Sequence, residues 1–183
     1  MKPTEKDIIT MMSDVRTAEK GLRAMMDTYQ SRLYWHIRRL VVEHPLAQEI
    51  LQDTFIKAYK NIHQFNENSK LFTWLYRIAT NEALQQIAKL KKMQKTDENA
   101  EELMQNLVAS NMENDAEGIQ ILLQNAIQTL PEKQKLVFTM RYYDDLPYEE
   151  MSEILQMSVA TLKTNYHYAK QKIEQYIRDN YDA

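Results

Sequence analysis

The chain has 183 residues, a net charge of −3, no cysteine, two glycines and four prolines. Because proteins on average contain about 7% glycine and 5% proline, this composition is typical of a mostly helical chain. Two glycines cannot form the glycine-rich loops that bind phosphates in Walker-type and dinucleotide-binding proteins, so those nucleotide sites are excluded. Without cysteine, neither a disulfide framework nor a thiolate metal site can form.

No stretch of the sequence approaches the roughly 18 apolar residues of a membrane-spanning helix, and the first twenty residues lack the apolar core of a signal peptide. The absence of cysteine is compatible with a reducing compartment. We therefore expect a soluble protein of the cytoplasm.

Charge is distributed unevenly along the chain. Residues 1–95 carry a net charge of +6, residues 96–118 a charge of −7, and residues 119–183 a charge of −2. The middle segment combines its acidic residues with Asn, Ser and Ala, which is typical of a solvated linker. The prediction is an all-α protein in which two small helical domains, 1–95 and 119–183, are joined by the acidic linker 96–118.

In the first domain, apolar residues that recur at spacings of three and four predict three amphipathic helices. They cover residues 22–42, the segment after Pro45, and residues 71–92, with a polar loop at 66–70 before the last. The predicted buried face of the third helix consists of Phe72, Leu75, Ala79, Ala83, Ile87 and Leu90. Residues 1–20 are expected to form a mobile lead-in helix unless its apolar residues Ile8, Ile9, Met11 and Met12 dock on the bundle.

Trp74 is unusual because it falls on the side of the third helix that should face water, together with Asn81 and Gln85. A large aromatic side chain in that position needs to be covered by another part of the protein or by a ligand. Two interpretations stay open. Trp74 either contacts a ligand, or it packs against the 22–42 helix or the 66–70 loop.

The second domain contains a candidate helix-turn-helix. Pro131 and Pro147 each stand where a helix can begin, and the turn Gln156-Met157-Ser158 follows the short helix after Pro147. Ser158 is predicted to cap the next helix by accepting a hydrogen bond from the backbone N–H of Ala160 or Thr161. The buried stripe of that helix consists of Val159, Leu162, Tyr166, Ala169 and Ile173.

Residues 159–173 include three lysines and no carboxylate. A short helix, a three-residue turn and a basic second helix match the geometry in which the second helix enters the major groove of DNA. An αα-hairpin with lysines on a solvated face would give the same pattern, so both interpretations stay open. The histidines have no partners at metal-ligand spacing, and we predict no metal or cofactor.

Two stretches of the chain together resemble the two domains of the extracytoplasmic-function (ECF) group of bacterial sigma factors. The first runs from LAQEILQDTFIKAYKNIHQF through LFTWLYRIATNEALQQIAKLKK, and the second is LPEKQKLVFTMRYYDDLPYEEMSEILQMSVATLKTNYHYAKQKI. The resemblance covers about residues 22–95 and 120–178, on either side of a linker that varies in the family.

The resemblance implies a protein that is not an enzyme and uses no cofactor or small-molecule substrate. It would bind core RNA polymerase and promoter DNA, read the −10 element with the first domain and the −35 element with the second, and help to open the duplex. Members of this family are commonly regulated by an anti-sigma factor, which is often a membrane protein.

The resemblance also assigns roles to individual residues. Contacts with the largest polymerase subunit would be made by Glu49, Gln52, Asp53, Thr54 and Lys57. The −10 element would be bound by a pocket for a turned-out base and by side chains along the strand: Asn66, Glu67, Asn68, Ser69, Trp74, Arg77, Asn81, Gln85, Lys89 and Lys92. The −35 element would be bound by Lys163, Thr164, Asn165, His167, Tyr168 and Lys170.

The chain departs from the family pattern at two places. Family members commonly carry arginine where this chain has Asn165 and Tyr168, and glycine where it has Ala160 or Gln156. Fewer guanidinium groups provide fewer phosphate anchors, so we do not expect strong −35 binding by this domain alone. A left-handed conformation at Gln156 would cost roughly 1 kcal/mol relative to glycine.

An autonomous DNA-binding regulator and a structural adaptor are the two alternatives to a sigma factor. An autonomous helix-turn-helix regulator would use the first domain for dimerisation or sensing and would bind DNA as a symmetric dimer without polymerase, for which a net charge of −3 is unfavourable. A purely structural adaptor would leave Trp74 and Lys163 without a purpose. An enzyme is disfavoured because no nucleophile–base or metal constellation is present.

Overall fold

The computed structural model describes residues 3–41, 43–66, 68–94 and 115–181, of which residues 94 and 115–117 are described by their backbone only. These residues form eight α-helices and one 3₁₀ helix, and no strand occurs among them. The all-α prediction is confirmed. Most of the predicted acidic linker lies outside the described residues. The chain divides into two compact units, the first of which comprises the residues up to Ile87 together with Glu153–Gln156.

The first unit contains four helices, of which the last continues beyond it. They are α1 (Glu5–Ser13), α2 (Ala18–Leu40), α3 (His44–Asn61) and α4 (Leu71–Gln94), with the 3₁₀ helix at Ile62–Gln64. The helices expected at 22–42 and 71–92 thus form with shifts of up to four residues at their ends, which is the usual uncertainty of helix ends predicted from sequence.

The lead-in segment is part of the folded bundle. In α1, Ile8 and Met12 are buried, so the docking interpretation is correct for this helix. A reciprocal cap starts the helix, because Asp7 N donates to Thr4 Oγ1 at 3.2 Å and Thr4 N donates to the Asp7 carboxylate at 2.8 Å. The Thr4 hydroxyl also donates to the Asp7 carboxylate at 2.7 Å, and this bond, followed by the bond from Thr4 N, lowers the pKa of Asp7.

Gly21 permits the close packing of α1 on α2. A Cβ atom at this position would lie 2.7 Å from both Cγ and the backbone nitrogen of Met12. Since real Cβ contacts are not that short, only glycine fits without a shift of the two helices. The close contact fixes where α1 lies on α2.

The predicted buried face of α4 is correct over its first turns and wrong at its end. Phe72, Leu75, Ala79 and Ala83 are buried. Leu90 is 43% exposed, and all described side chains from residue 88 to residue 93 are exposed, so the neighbouring helices cover only the first part of α4.

The second unit contains α5 (Asp115–Gln128), α6 (Glu132–Tyr142), the part of α7 (Tyr148–Leu155) up to Ser152, and α8 (Val159–Tyr181). Helix α5 starts within the interval predicted as linker. The core of this unit is formed by Ala126, Ile127, Leu130, Phe138, Ala169 and Ile173. The Phe138 ring stacks on Tyr142 and on Tyr166, at centroid distances of 5.1 and 5.7 Å. In the described part of the chain, no helix has the length and apolar character needed to cross a membrane.

Gly21→Ala should lower the free energy of unfolding of the first unit by about 1–3 kcal/mol, because the added methyl group overpacks the α1–α2 contact. Guanidinium unfolding followed by tryptophan fluorescence measures this directly, since both tryptophans, Trp35 and Trp74, lie in the first unit.

Gly118→Ala is the matched control, because no atom lies within 4 Å of the position of its Cβ. This substitution in α5 should stabilise the second unit by up to about 1 kcal/mol, as alanine favours a helix over glycine, and circular dichroism, which reports on the helices of both units, measures the change. Equal stability of Gly21→Ala and the wild type would contradict the close α1–α2 contact.

Candidate nucleic-acid interface

The polar loop before α4 is built by its own side chains. Asn66 Oδ1 accepts a hydrogen bond from Asn68 N at 3.1 Å, and the Asn66 carbonyl accepts from Ser69 N at 3.1 Å. Asn66 and Asn68 are exposed and Ser69 is half-buried, while Glu67 lies outside the described residues. The loop therefore holds polar side chains close to the first residue of α4.

Trp74 packs against Phe65, the residue that precedes this loop. The ring centroids are 5.3 Å apart with a tilt of 56°, and the indole is only partly buried. The structure thus supports the interpretation in which Trp74 is covered by the protein and shapes the loop. The exposed remainder of the indole stays accessible to a ligand.

An exposed polar stripe runs along α4. Its members are spaced by three or four residues, and each side chain is exposed: Arg77, Asn81, Gln85, Lys89 and Lys92. At 100° per residue they span an arc of about 120°, and the 15 steps from residue 77 to residue 92 extend over about 22 Å. The stripe presents three cations and two amides in one line.

The two residues next to Asn81 in the sequence, Thr80 and Glu82, have buried polar side chains, because each lies about 100° around α4 from Asn81. Thr80 Oγ1 lies 2.8 Å from Nε2 of the buried His36 on α2. Lys57 Nζ on α3 donates to Glu82 Oε1 at 2.5 Å, and the Glu82 side chain is only 11% exposed. These bonds tie α4 to both neighbouring helices and fix its rotation, so that Asn81 points outward.

The sequence interpretation missed the contact between His36 and Thr80. The available signal was that His36 falls on the apolar stripe of α2 with Leu33, Ile37 and Leu40, where a polar side chain requires a partner. Among the described residues, no three or more His, Asp or Glu side chains are grouped so that they could hold a metal ion.

The predicted polymerase contacts on α3 do not all reach the surface. Glu49 and Gln52 are exposed and Asp53 is half-buried. Thr54 is fully buried and its hydroxyl donates to the Ile50 carbonyl at 2.7 Å, so its assignment as a direct contact is wrong. Lys57 is partly exposed and is already paired with Glu82.

Along the chain, α7, a turn at 156–158 and α8 follow one another in the order predicted for the helix-turn-helix. Gln156 takes a left-handed conformation with φ of 54°, although it is not glycine. Its side-chain amide donates to the Glu153 carbonyl at 2.7 Å. The predicted cap at Ser158 is confirmed, because its Oγ accepts from Thr161 N at 3.1 Å.

The residues assigned to the −35 element lie on the first half of α8. All are exposed except Asn165, which is half-buried: Lys163, Thr164, Asn165, His167, Tyr168 and Lys170. The side chains of Thr164 and Asn165 donate to backbone carbonyls of α8, at 3.0 and 2.9 Å. The Thr164 hydroxyl would have to give up its bond to donate to DNA, whereas the Asn165 amide keeps a second N–H for such a contact. Lys163 Nζ lies 5.7 Å from the centroid of the Tyr148 ring.

Known proteins carry the same two modules. Residues 25–93 match sigma-70 region 2, and residues 120–173 match sigma-70 region 4. The chain is 32% identical over 164 residues to the ECF RNA polymerase sigma factor SigW of Bacillus subtilis, covering 85% of this chain and 88% of that relative. The chain belongs to the ECF family of RNA polymerase sigma factors.

Solved structures of other proteins share the fold. One is RpoE of Bartonella quintana, in complex with the anti-sigma factor NepR, with a TM-score of 0.69 and 18% identity over 88% of this chain and 99% of that one. Another is CnrH, in complex with the cytosolic domain of CnrY, with a TM-score of 0.69 and 13% identity over 96% and 98%.

Membership of the ECF family defines the function at the level of the whole chain. It is an alternative sigma factor that directs core RNA polymerase to −10/−35 promoters and assists promoter melting during transcription initiation. The two matched regions correspond to the helices of the first unit from Met25 onward and to the helix-turn-helix unit.

Gln156→Gly should raise the free energy of unfolding of this sigma factor by about 0.5–1 kcal/mol. Glycine removes the cost of the left-handed conformation, and this gain is reduced by the greater freedom of the unfolded chain and by loss of the bond to Glu153. Thermal unfolding followed by circular dichroism measures the change.

Gln171→Gly is the control, since Gln171 is an exposed residue within α8. It should destabilise the protein by about 1 kcal/mol, because glycine disfavours a helix interior. If both substitutions destabilise equally, the left-handed turn at residue 156 is not strained.

Proposed function

We propose that the exposed stripe of α4 and the loop before it bind the non-template strand of the −10 element. The observation that carries this proposal is that one face of α4 is exposed and polar while the other is buried and bonded to neighbouring helices. Asn81 is exposed, while Thr80 and Glu82 on either side of it are buried and bonded to α2 and α3. A helix held in this way presents one fixed polar face to a ligand.

The side chains of the stripe suit a melted strand. A base that leaves the duplex loses stacking worth a few kcal/mol, and a protein that selects the open strand has to replace it. The amides of Asn81 and Gln85 can bond base edges, whereas Arg77, Lys89 and Lys92 can neutralise phosphates and release counterions. Trp74, packed on Phe65, supports the polar loop that would receive a turned-out base.

The first half of α8 is proposed to read the −35 element in the major groove. Lys163 and Lys170 provide exposed charges, and Thr164, Asn165, His167 and Tyr168 provide further polar groups. Because the Thr164 hydroxyl and one N–H of Asn165 are bonded within α8, fewer donors remain for base contacts, and we expect the contacts of this helix to be weak on their own. Attachment to polymerase would supply the remaining affinity.

Core RNA polymerase is the proposed partner of a polar surface of α3, formed by the exposed Glu49, Gln52 and Lys57 and the half-buried Asp53. Thr54 would support this surface from inside.

We infer that the protein acts in the cytoplasm and catalyses no reaction itself. We also infer that residues 1–95 and 119–183 are separate domains on either side of the linker 96–118. Since the structural neighbour RpoE was solved with an anti-sigma factor, we propose that this chain also has an anti-sigma partner.

Transcription in vitro with purified core polymerase and a library of upstream sequences tests the proposal. The wild-type chain should support transcription from promoters with both elements. Lys163→Ala should change the preferred −35 sequence or lower transcription several-fold, because one base or phosphate contact is worth about 1–3 kcal/mol.

Lys172→Ala is the matched control, because residue 172 is exposed and lies about 180° around α8 from residue 163. It should leave the −35 preference unchanged. An unchanged profile for Lys163→Ala would contradict its assignment. Binding of promoter duplex by a symmetric dimer without polymerase, together with no transcription, would favour an autonomous regulator instead.

A further inference from the structure

Helix α1 precedes the region 2 match, which begins at residue 25, and none of the roles proposed above includes it. Nevertheless, α1 makes a specific contact with the beginning of α4. The carboxylate oxygen Oε1 of Glu5 accepts a hydrogen bond from the backbone N–H of Leu71, the first residue of α4. The two residues are 66 positions apart in the sequence.

The contact satisfies a backbone group that has no partner within its own helix. The first N–H groups of an α-helix lack intrahelical acceptors. Because Leu71 is fully buried, water cannot serve as the acceptor for its N–H. A carboxylate is also favoured at this position because the N-terminus of a helix carries partial positive charge. Glu5 therefore acts as a helix cap supplied by another helix.

The surroundings of Glu5 are partly desolvated. Burial, followed by the negative charge of Glu5, raises the pKa of the Tyr29 hydroxyl. The Tyr29 ring lies 6.2 Å from the ring of Phe72, the second residue of α4, and the Arg32 guanidinium lies 4.1 Å from the Phe72 centroid. The first turn of α4 is thus held by side chains from α1 and α2.

Helix α1 is anchored firmly enough to hold Glu5 in place. The buried Ile8 and Met12 attach it to the bundle, and Gly21 allows close contact with α2. Helix α1 also contacts the 3₁₀ helix Ile62–Gln64, which leads into the polar loop. It consequently supports the loop from the side of residue 62 and from the side of residue 71.

We propose that Glu5 is a positioning residue for recognition of the −10 strand, which acts by capping α4 and thereby fixing the polar loop in its strand-binding arrangement. This inference rests on the proposed function of the loop and the α4 stripe. Glu5 itself touches no DNA in this role, and it acts through Leu71. The exposed surface of α3 does not depend on this cap, so polymerase binding should be independent of it.

The experiment compares holoenzymes assembled from the full chain with Glu5→Ala, Glu5→Gln or the control Glu19→Ala. Glu19 is an exposed glutamate that pairs only locally with Arg23. Two affinities are measured for each variant: that for core polymerase, and that of the holoenzyme for a single-stranded oligonucleotide carrying the −10 non-template sequence.

Glu5→Ala should lower the affinity for the oligonucleotide about tenfold and leave the affinity for core polymerase within about twofold. Glu5→Gln should bind nearly as the wild type does, because its amide oxygen can accept the Leu71 N–H. The Glu19→Ala control should match the wild type in both measurements.

Equal oligonucleotide binding by Glu5→Ala and Glu19→Ala would overturn the inference. A parallel loss of both affinities, including one caused by unfolding of the first unit, would also count against it, because the effect would then be merely structural. If the wild-type holoenzyme binds the −10 sequence no better than a scrambled strand, the proposed function of the loop fails, whatever the Glu5 variants do.

Discussion

The rotation of α4 is the constraint on which the rest of the first unit depends. Thr80 and Glu82 are buried, and each has a partner on a different helix, His36 on α2 and Lys57 on α3. A buried polar group that loses its partner costs about 1–3 kcal/mol, and a buried charge costs more. Since each residue turns the helix by 100°, a shift of α4 by one residue would break both contacts. The rotation that keeps them is the one that exposes Asn81.

The two faces of α4 therefore have separate tasks. Apolar side chains and two polar bonds attach one face to the bundle, whereas the other face carries three cations and two amides on a stable support. Binding groups on such a rigid element lose little conformational freedom when a ligand binds. This is the property that a protein needs if it selects a melted strand over a closed duplex, because the replacement surface has to exist before the base arrives.

The helix-turn-helix departs from the family pattern in its turn and in the basic residues of its second helix. Gln156 adopts the left-handed turn without glycine, and its side chain returns a hydrogen bond to the preceding helix. The α8 surface carries lysines in place of a denser set of guanidinium groups. Such a surface suits a module that reads DNA as part of a larger complex, where one partner supplies affinity and the other supplies sequence preference.

The sequence predicted local features well. The spacing of apolar residues identified the amphipathic helices, and the residue types at 156–158 identified the turn and its cap at Ser158. Periodicity cannot say how far the neighbouring helices extend, which is why Leu90 was assigned to the core although it is exposed.

Hydrogen bonds between groups far apart in the sequence could not be predicted from it. Nothing in the pattern shows that His36 meets Thr80 or that Glu5 meets Leu71, since each pair is formed only when the bundle closes. The resemblance to a family gave the position of Thr54 on its helix but not its orientation, and the structure corrects that assignment. The positions of functional residues could be transferred along the chain, whereas their exposure had to be observed.

Permanganate footprinting of melted thymines in open complexes tests the central claim about α4 most directly. Holoenzyme carrying Asn81→Ala should form closed complexes normally and show weaker thymine reactivity at the −10 element, because the exposed amide contacts the open strand. Gln30→Ala, which removes an exposed amide from α2, should react as the wild type does. Wild-type reactivity of Asn81→Ala would contradict the claim that the exposed face of α4 binds the melted strand.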